Sequence, residues 1–149
     1  LGYTHTIGGY RLYVPRERTY AASCYCIQGT EGEIVKDAMS DISNYCYHTK
    51  WLLDNYDNTG AIELHKLARP GKPCPYRMVM MVHDELIFQS KAAYDKEGNP
   101  VPTSLPHLKN IMRLMENAGR RLGVPVKVDA DIVTHSWDKK VSIDISLAG

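Results

Sequence analysis

With 149 residues, 44% of them hydrophobic and 23% charged, the chain is long and apolar enough for one compact domain with a real core. Its formal net charge of +1 excludes a protein that binds nucleic acid through overall charge alone. No apolar run comes near the roughly 18 residues of a membrane helix and no signal-peptide pattern is visible, so we expect a cytoplasmic protein without a membrane partner.

The first predicted element is a small β-hairpin. Gly8 and Gly9 separate two short β-like runs, residues 5–7 and 11–14, and Pro15 closes the second run. Residues 16–27, which have mixed polarity, are predicted to be a connector.

A helix is predicted to begin near Thr30, because Thr30 and Glu33 have the spacing of a capping box. Behind them, apolar residues recur every four positions and define one helical face that runs to about residue 53. The residues of that face are Ile34, Ala38, Ile42 and Cys46.

The middle of the chain reads as loops around two strands. Residues 54–60 are rich in turn formers, residues 61–68 are predicted to be a short helix, and residues 70–75 contain three prolines and form a loop. Two apolar runs follow, residues 77–82 and 86–89, with the character of buried strands.

The last third is predicted to hold a loop, a helix and a strand. Residues 96–106 contain three prolines and a glycine, and a helix follows that ends near Gly119 or Gly123. Residues 124–132 alternate apolar and polar, which is typical of a half-buried strand. The order of elements predicts an α+β fold with helices packed on an antiparallel β-sheet. The apolar positions that mark the helix are Leu108, Ile111, Met112 and Met115.

The four cysteines have no spacing typical of a zinc site. Cys24 and Cys26 are separated by one residue instead of two, and Cys46 and Cys74 have no neighbouring cysteine. We therefore expect reduced thiols, as in a cytoplasmic compartment.

Three adjacent polar residues, His83, Asp84 and Glu85, lie between the two apolar runs. Adjacent carboxylates repel each other unless a cation lies nearby. Mg²⁺ takes one or two carboxylates and leaves its other positions to water and substrate phosphate, and a histidine can donate to a phosphate or sugar oxygen. The triplet therefore predicts a hairpin turn that carries a site for metal-assisted phosphoryl transfer.

Two other interpretations stay open from these residues alone. A tight turn often carries Asp and Glu simply because they are soluble. A His-Asp metal phosphohydrolase is the second, but that class builds its ligands on helices with further histidines, whereas the flanks here are predicted strands. The upstream histidines available to it are His5, His48 and His65.

Several segments, taken in order, resemble family A DNA polymerases, the bacterial polymerase I type together with related phage replicases. VHDEL (residues 82–86) between apolar strands resembles motif C of that family. The other matching segments are GYTHTIGGYRLYVP (residues 2–15), QGT with the helix after it (residues 28–30), and LMEN, GVPV and SW (residues 114–117, 123–126 and 136–137). The resemblance covers nearly the whole chain and implies an antiparallel palm subdomain with a motif C β-hairpin.

The resemblance implies a role for five residues of this sequence. Asp84 is the motif C aspartate, a direct ligand of two catalytic Mg²⁺ ions, and Glu85 is the second acid close to the metals. His83 lies near the primer terminus. Gln28 reads the minor groove, where one amide donor can check base-pair shape without choosing sequence. Arg11 of the first hairpin either contacts the DNA backbone or supports the hairpin.

The resemblance also implies what this chain lacks. A two-metal site needs a second acid-bearing segment, and neither that motif nor the nucleotide-binding helix of the fingers has a match here. The chain also begins with Leu1 instead of Met. We therefore expect residues 1–149 to be the C-terminal palm portion, with the base of the fingers, of a larger or split enzyme, with a DNA primer-template and dNTP as partners and no activity without the remaining polymerase.

The sequence departs from the family pattern at three places. Cys24 stands where the family has Asn, Tyr20 stands where it has Arg, and the interval from Gln28 to His83 is longer than in bacterial members. The long interval favours a phage-type or divergent enzyme of a bacterial or phage-infected cell. An alternative function is a non-catalytic DNA-binding or assembly subunit derived from a polymerase.

Overall fold

Helices and short strands alternate through residues 2–47 and 73–145, the part of the chain that the computed structural model describes. The helices are a 3₁₀ helix (Arg16–Ala21), α1 (Ala22–Tyr47) and α2 (Leu105–Arg121). The α+β class is as predicted. The strands are β1 (Gly2–His5), β2 (Arg11–Val14), β3 (Arg77–Val82), β4 (Glu85–Gln89), β5 (Ala130–Val133) and β6 (Lys140–Ile143).

The strands pair as three separate antiparallel hairpins, β1–β2, β3–β4 and β5–β6, within the described ranges. Antiparallel pairing is confirmed, but in these ranges the strands do not join into the one sheet that the element order predicted. Each hairpin pairs only strands that are consecutive in sequence. Side-chain contacts with the helices, and not a shared hydrogen-bond ladder, hold the β1–β2 and β3–β4 hairpins in place.

The start of α1 differs from the prediction. The helix begins at Ala22, so the predicted connector is helical and Thr30 lies in the helix interior. The Thr30 hydroxyl donates to the Cys26 carbonyl at 2.7 Å and accepts the Ile7 N–H at 3.0 Å. The capping-box prediction was wrong because Thr30 satisfies a backbone donor of the first hairpin instead of one in its own helix.

The same hairpin lies against α1 at Gly29. A Cβ atom at this position would collide with the Leu12 side chain and lie 2.9 Å from Thr6 Cγ2. A side chain at this position would force Leu12 and Thr6 to shift, so glycine favours the close approach of the β1–β2 hairpin to α1. This contact fixes the hairpin beside the N-terminal half of α1.

The core lies between α1 and α2. Leu86 and Phe88 of β4 pack against it, so the β3–β4 hairpin is anchored to the helix pair through one face. Burial of these apolar side chains is the main stabilising contribution. The core cluster consists of Ile34, Ala38, Ile42, Tyr45, Tyr76, Ile111, Leu114 and Ala118.

A buried polar network also joins the two helices. Asn110 Nδ2 donates to the Tyr45 hydroxyl at 2.9 Å, and that hydroxyl lies 2.7 Å from His107 Nδ1. The hydroxyl accepts from Asn110, and which group donates between the hydroxyl and His107 Nδ1 depends on the imidazole tautomer. Burial raises the pKa of Tyr45 to about 12, so the hydroxyl keeps its proton at neutral pH.

The predicted strand over residues 124–132 is confirmed in its alternation but not in its length. Its apolar positions are half-buried and the residues between them are exposed, yet ladder pairing starts only at Ala130. Before that point the segment packs on α2. Val124 N–H donates to the Gly119 carbonyl at 2.9 Å, and a Cβ at Gly119 would collide with Val126.

Some predictions lie outside the described residues. These are the helix end near residue 53, the turn over residues 54–60, the short helix over residues 61–68 and the start of the loop at residues 70–75. In the described ranges all four cysteines are free thiols, as predicted. Neither α1 nor α2 combines the length and apolar character that a membrane-crossing helix needs.

Candidate metal and DNA site

The β3–β4 hairpin closes through a two-residue turn. Val82 pairs with Glu85, so His83 and Asp84 form the turn and Glu85 is the first residue of β4. The sequence pattern predicted that all three polar residues lie in the turn. In the structure Glu85 instead pairs with Val82, because a two-residue loop is the shortest antiparallel connection. Asp84 therefore lies at the tip of the turn, whereas Glu85 lies in the hydrogen-bonded ladder of β3 and β4.

His83 has a left-handed backbone conformation, with φ of 54°. A positive φ at the first turn position is typical of type II′ hairpins, where glycine is usual. A non-glycine residue there costs roughly 1–2 kcal/mol. Such strain is often found at functional sites, and here it occurs at an exposed histidine next to Asp84.

The two acids have different surroundings. Asp84 is exposed and makes no hydrogen bond or ion pair with any residue in the described ranges. Glu85 Oε1 lies 3.0 Å from Lys140 Nζ, and its side chain is 49% exposed. Asp84 is therefore available to a cation, whereas the charge of Glu85 is already balanced.

Lys140, at the start of β6, and nearby Trp137 form the other side of this contact. Lys140 Nζ lies 4.4 Å from the centre of the Trp137 ring, which holds the ammonium group by a cation–π interaction. No local pattern predicts the pairing of Lys140 with Glu85, since the two residues are 55 positions apart. Trp137 was visible only through the family resemblance.

The outer face of β3 is apolar and exposed. Val79 is 53% exposed and Met80 is 54% exposed, so the prediction of a buried strand was wrong for this face. A register shift between Met78 and Met80 breaks the simple alternation of the strand. The hairpin thus has one face on the core and an apolar stripe directed away from it.

Asp84 and Glu85 do not form a complete metal centre by themselves. In residues 2–47 and 73–145, no three His, Cys, Asp or Glu side chains come together as metal ligands. Mg²⁺ sites, however, commonly use one or two protein carboxylates and complete their shell with water and substrate phosphate. The exposed Asp84 carboxylate fits such a ligand, with the remaining donors supplied from outside this hairpin.

The predicted DNA contacts, Arg11 and Gln28, lie elsewhere, on the β1–β2 hairpin and on α1. Arg11 Cζ lies 4.6 Å from the centre of the Tyr3 ring, and Gln28 is exposed on α1 next to Gly29. No hydrogen bond, ion pair or ring contact within the described ranges joins either residue to the His83–Asp84 turn. The structure thus brings Arg11 and Gln28 into one unit, separate in its contacts from the acidic turn.

The two positions that depart from the family pattern belong to this first unit. Tyr20, in the 3₁₀ helix, is 81% exposed, and Cys24 is exposed on the first turn of α1. Neither side chain supports the core. Substitutions here change the surface beside Gln28 without changing the fold.

The chain is similar in sequence to a phage DNA polymerase. The chain is 29% identical over 145 residues to the DNA polymerase DpoZ of Salmonella phage PMBT28. The match covers 96% of this chain but 18% of the phage protein, so the chain spans less than a fifth of that relative's length. No protein-family model matches the chain. No solved structure matches it either. The similarity supports a relationship to DNA polymerases without assigning a polymerase family.

Proposed function

We propose that this chain is the C-terminal palm portion of a template-directed DNA polymerase of family A and supplies its motif C acid. The observation that carries the proposal is the position of Asp84, exposed at the tip of a hairpin whose other face is anchored in the core. A rigid support for an available carboxylate is what a two-metal site requires. The similarity to a phage DNA polymerase is a second, independent support.

The reaction is nucleotidyl transfer from a dNTP to a primer. The primer 3′ oxygen attacks the α-phosphorus, its proton is lost, and pyrophosphate leaves. Mg²⁺, when bound, lowers the pKa of the attacking hydroxyl and stabilises the charge on the phosphate oxygens. Asp84 holds the metal through its carboxylate. Glu85 forms an ion pair with Lys140, with 3.0 Å between Oε1 and Nζ. It adds negative charge near the site without being the principal ligand.

Three further residues contact the DNA in this proposal. The exposed imidazole of His83 beside Asp84 donates to the primer terminus. The exposed amide of Gln28 donates to minor-groove acceptors, which occupy similar places on all base pairs. Arg11 makes a cation–π contact with Tyr3 and is exposed, and in this proposal its guanidinium N–H groups donate to a phosphate oxygen.

The remaining polymerase is the necessary partner. One acid-bearing turn cannot hold two metals, and the described residues contain no second cluster of ligands. The sequence has no match to the family's other metal motif or to its nucleotide-binding helix, so in this proposal the second acid and the dNTP-binding groups come from further polypeptide. On its own, this chain is expected to be inactive in nucleotide addition.

A primer-extension assay tests the proposal. The complete natural protein that contains this chain, given a primer on a longer template, four dNTPs and Mg²⁺, is expected to extend the primer in template order. Chelation of Mg²⁺ with EDTA is expected to stop extension, because the metal lowers the free energy of the charged transition state by several kcal/mol. The 149-residue chain alone is the control and should add no nucleotide.

Two results would contradict this assignment. Extension that continues at full rate after chelation would exclude the metal role. DNA binding by the complete protein without any extension would support the non-catalytic assembly subunit instead.

Replacement of Lys140 tests the unequal roles of the two acids. Lys140→Ala removes the positive charge beside Glu85 and is expected to lower the Mg²⁺ concentration for half-maximal extension. Loss of the positive charge paired with Glu85 is worth on the order of 1 kcal/mol in metal binding, or roughly five-fold in that concentration. A Mg²⁺ titration of the extension rate measures the change.

Lys139→Ala is the matched control for this variant. Lys139 is exposed and forms no ion pair with a described residue, so its replacement changes the net charge equally but not the surroundings of Glu85. Equal shifts in the two variants would mean that Lys140 acts only through overall charge.

A further inference from the structure

A pair of cysteines lies where the end of α1 meets the segment before β3. Cys46, in the last turn of α1, and Cys74, just before β3, are 28 positions apart in sequence, and their sulfur atoms are 3.2 Å apart. Both side chains are half-buried and pack against the core cluster. Two thiols from distant segments thus meet where α1 passes the start of the hairpin.

The two thiols are not equivalent. The two thiols share one hydrogen bond, in which either sulfur can donate, and this contact lowers the pKa of Cys74 below the ordinary thiol value. The same bond, together with burial, raises the pKa of Cys46. Cys74 therefore forms the thiolate, the nucleophilic form of cysteine, more readily than Cys46 does.

Packing alone does not account for this arrangement. A buried structural cysteine behaves as a small hydrophobic residue and is inert, whereas here one thiol stabilises the ionised form of the other. A metal site is not indicated, because the described part of the chain adds no third ligand to the pair. A disulfide needs a sulfur separation of about 2.05 Å, so the pair has to close by only about 1 Å.

We propose that Cys46 and Cys74 are a site of reversible disulfide formation by exchange with a small-molecule disulfide such as oxidised glutathione. The proposal rests on the contact between the two sulfur atoms and is independent of the proposed polymerase function. It gives the chain a redox-modifiable cross-link between α1 and the segment that leads into β3.

The exchange has two balanced steps. Cys74 thiolate attacks one sulfur of oxidised glutathione, so a mixed disulfide forms at Cys74 and one glutathione thiolate leaves. Cys46 then loses its proton and attacks the Cys74 sulfur, releasing the second glutathione. Two protein thiols are oxidised, one small disulfide is reduced, and both protons pass to glutathione. Loss of the Cys74 thiolate in the first step removes the hydrogen bond that held the Cys46 proton.

The cross-link would act on two contacts at the base of the hairpin. Cys74 Sγ lies 3.8 Å from the Tyr76 carbonyl, and the Tyr76 hydroxyl bonds both the N–H and the carbonyl of Ser104, the residue before α2. A bond from Cys46 to Cys74 therefore fixes the start of β3 between α1 and the start of α2. The expected result is a more rigid support beneath the β3–β4 turn.

The test is a redox titration of the complete natural protein. The protein is equilibrated in buffers of graded reduced-to-oxidised glutathione ratio, quenched with acid, alkylated, and mapped by peptide mass spectrometry. A Cys46–Cys74 cross-link is expected to appear as the ratio falls and to disappear when thiol is restored. Cys24 and Cys26 are internal controls, since residues two apart on a helix do not face each other.

Single replacements identify the order of the steps. Cys46→Ser is expected to trap glutathione on Cys74, because no second thiol can release it. Cys74→Ser is expected to leave Cys46 largely as a free thiol. Circular dichroism of each variant verifies that the helices are formed. Free thiols at Cys46 and Cys74 at every ratio, or pairing of either with Cys24 or Cys26, would overturn the proposal.

The pH dependence of alkylation gives a second, kinetic measurement. The rate at Cys74 is expected to rise with a midpoint below that of an ordinary thiol, because its hydrogen bond with Cys46 lowers the pKa of Cys74. Cys46→Ala removes the partner, so this midpoint should move up towards the ordinary thiol value of about 8.5. An unchanged midpoint in Cys46→Ala would show that the two thiols do not interact.

Discussion

Asp84→Asn is expected to reduce nucleotide addition by the complete polymerase by roughly three powers of ten. The substitution keeps the size of the side chain and its place in an exposed turn, but it removes the negative charge that holds the metal. Metal stabilisation of the transition state is worth several kcal/mol, and each 1.36 kcal/mol is about ten-fold in rate. Single-nucleotide addition under saturating dNTP measures the loss.

Asp129→Asn is the matched control for this variant. Asp129 is an exposed aspartate, 81% accessible, that lies 3.6 Å from Lys127 on the surface, and exposed pairs of this kind contribute little. Its replacement should leave the rate unchanged. DNA affinity should be nearly the same in wild type and Asp84→Asn, because the predicted DNA contacts come from other residues. A rate for Asp84→Asn close to wild type would exclude Asp84 as a metal ligand.

The elements that the sequence predicted well are those fixed by local signals. The β3–β4 hairpin follows from two apolar runs around a polar triplet, and the structure places its strands at residues 77–82 and 85–89. Helix α2 follows from apolar residues at helical spacing after a proline-rich loop. In both cases a pattern within about 20 residues determines the element.

The predictions that failed depended on contacts between distant segments. Thr30 has the chemistry of a helix cap, but its hydroxyl bonds Ile7 of the first hairpin, 23 positions away. Val79 has the character of a buried strand residue, yet it is 53% exposed because its hairpin uses only one face against the core. Local pattern gives the apolar character of a strand, whereas the partner of each face depends on tertiary packing.

The same limit applies to the candidate site. The sequence identified Asp84 and Glu85 as a pair, but it treated the two acids as equivalent apart from the resemblance. Their difference comes from Lys140, which lies 55 positions away and pairs with Glu85 alone. Local sequence can therefore find the acids of a site, while the charge on each depends on residues that only the fold brings close.

Leu114→Ala is expected to destabilise the helix pair by about 3 kcal/mol, because the substitution removes buried apolar contacts and leaves a cavity in the core. Leu114 is 0% exposed at the centre of α2 and belongs to the cluster on which Leu86 and Phe88 pack. Hydrogen exchange of the α1 and β4 amides measures the change. These amides should exchange on the order of 100-fold faster, because each 1.4 kcal/mol is about ten-fold in the opening equilibrium.

Leu105→Ala is the control, because it is the same substitution at the first residue of α2, where the side chain is 43% exposed. Its effect should stay within about 1 kcal/mol, since little apolar surface is buried there. Faster exchange in β4 for Leu114→Ala but not for Leu105→Ala would show that the core supports the hairpin that carries Asp84. Equal exchange in β4 for both variants would mean that the hairpin is held independently of the helix pair, and the rigid support assigned to the acidic turn would have to come from other polypeptide.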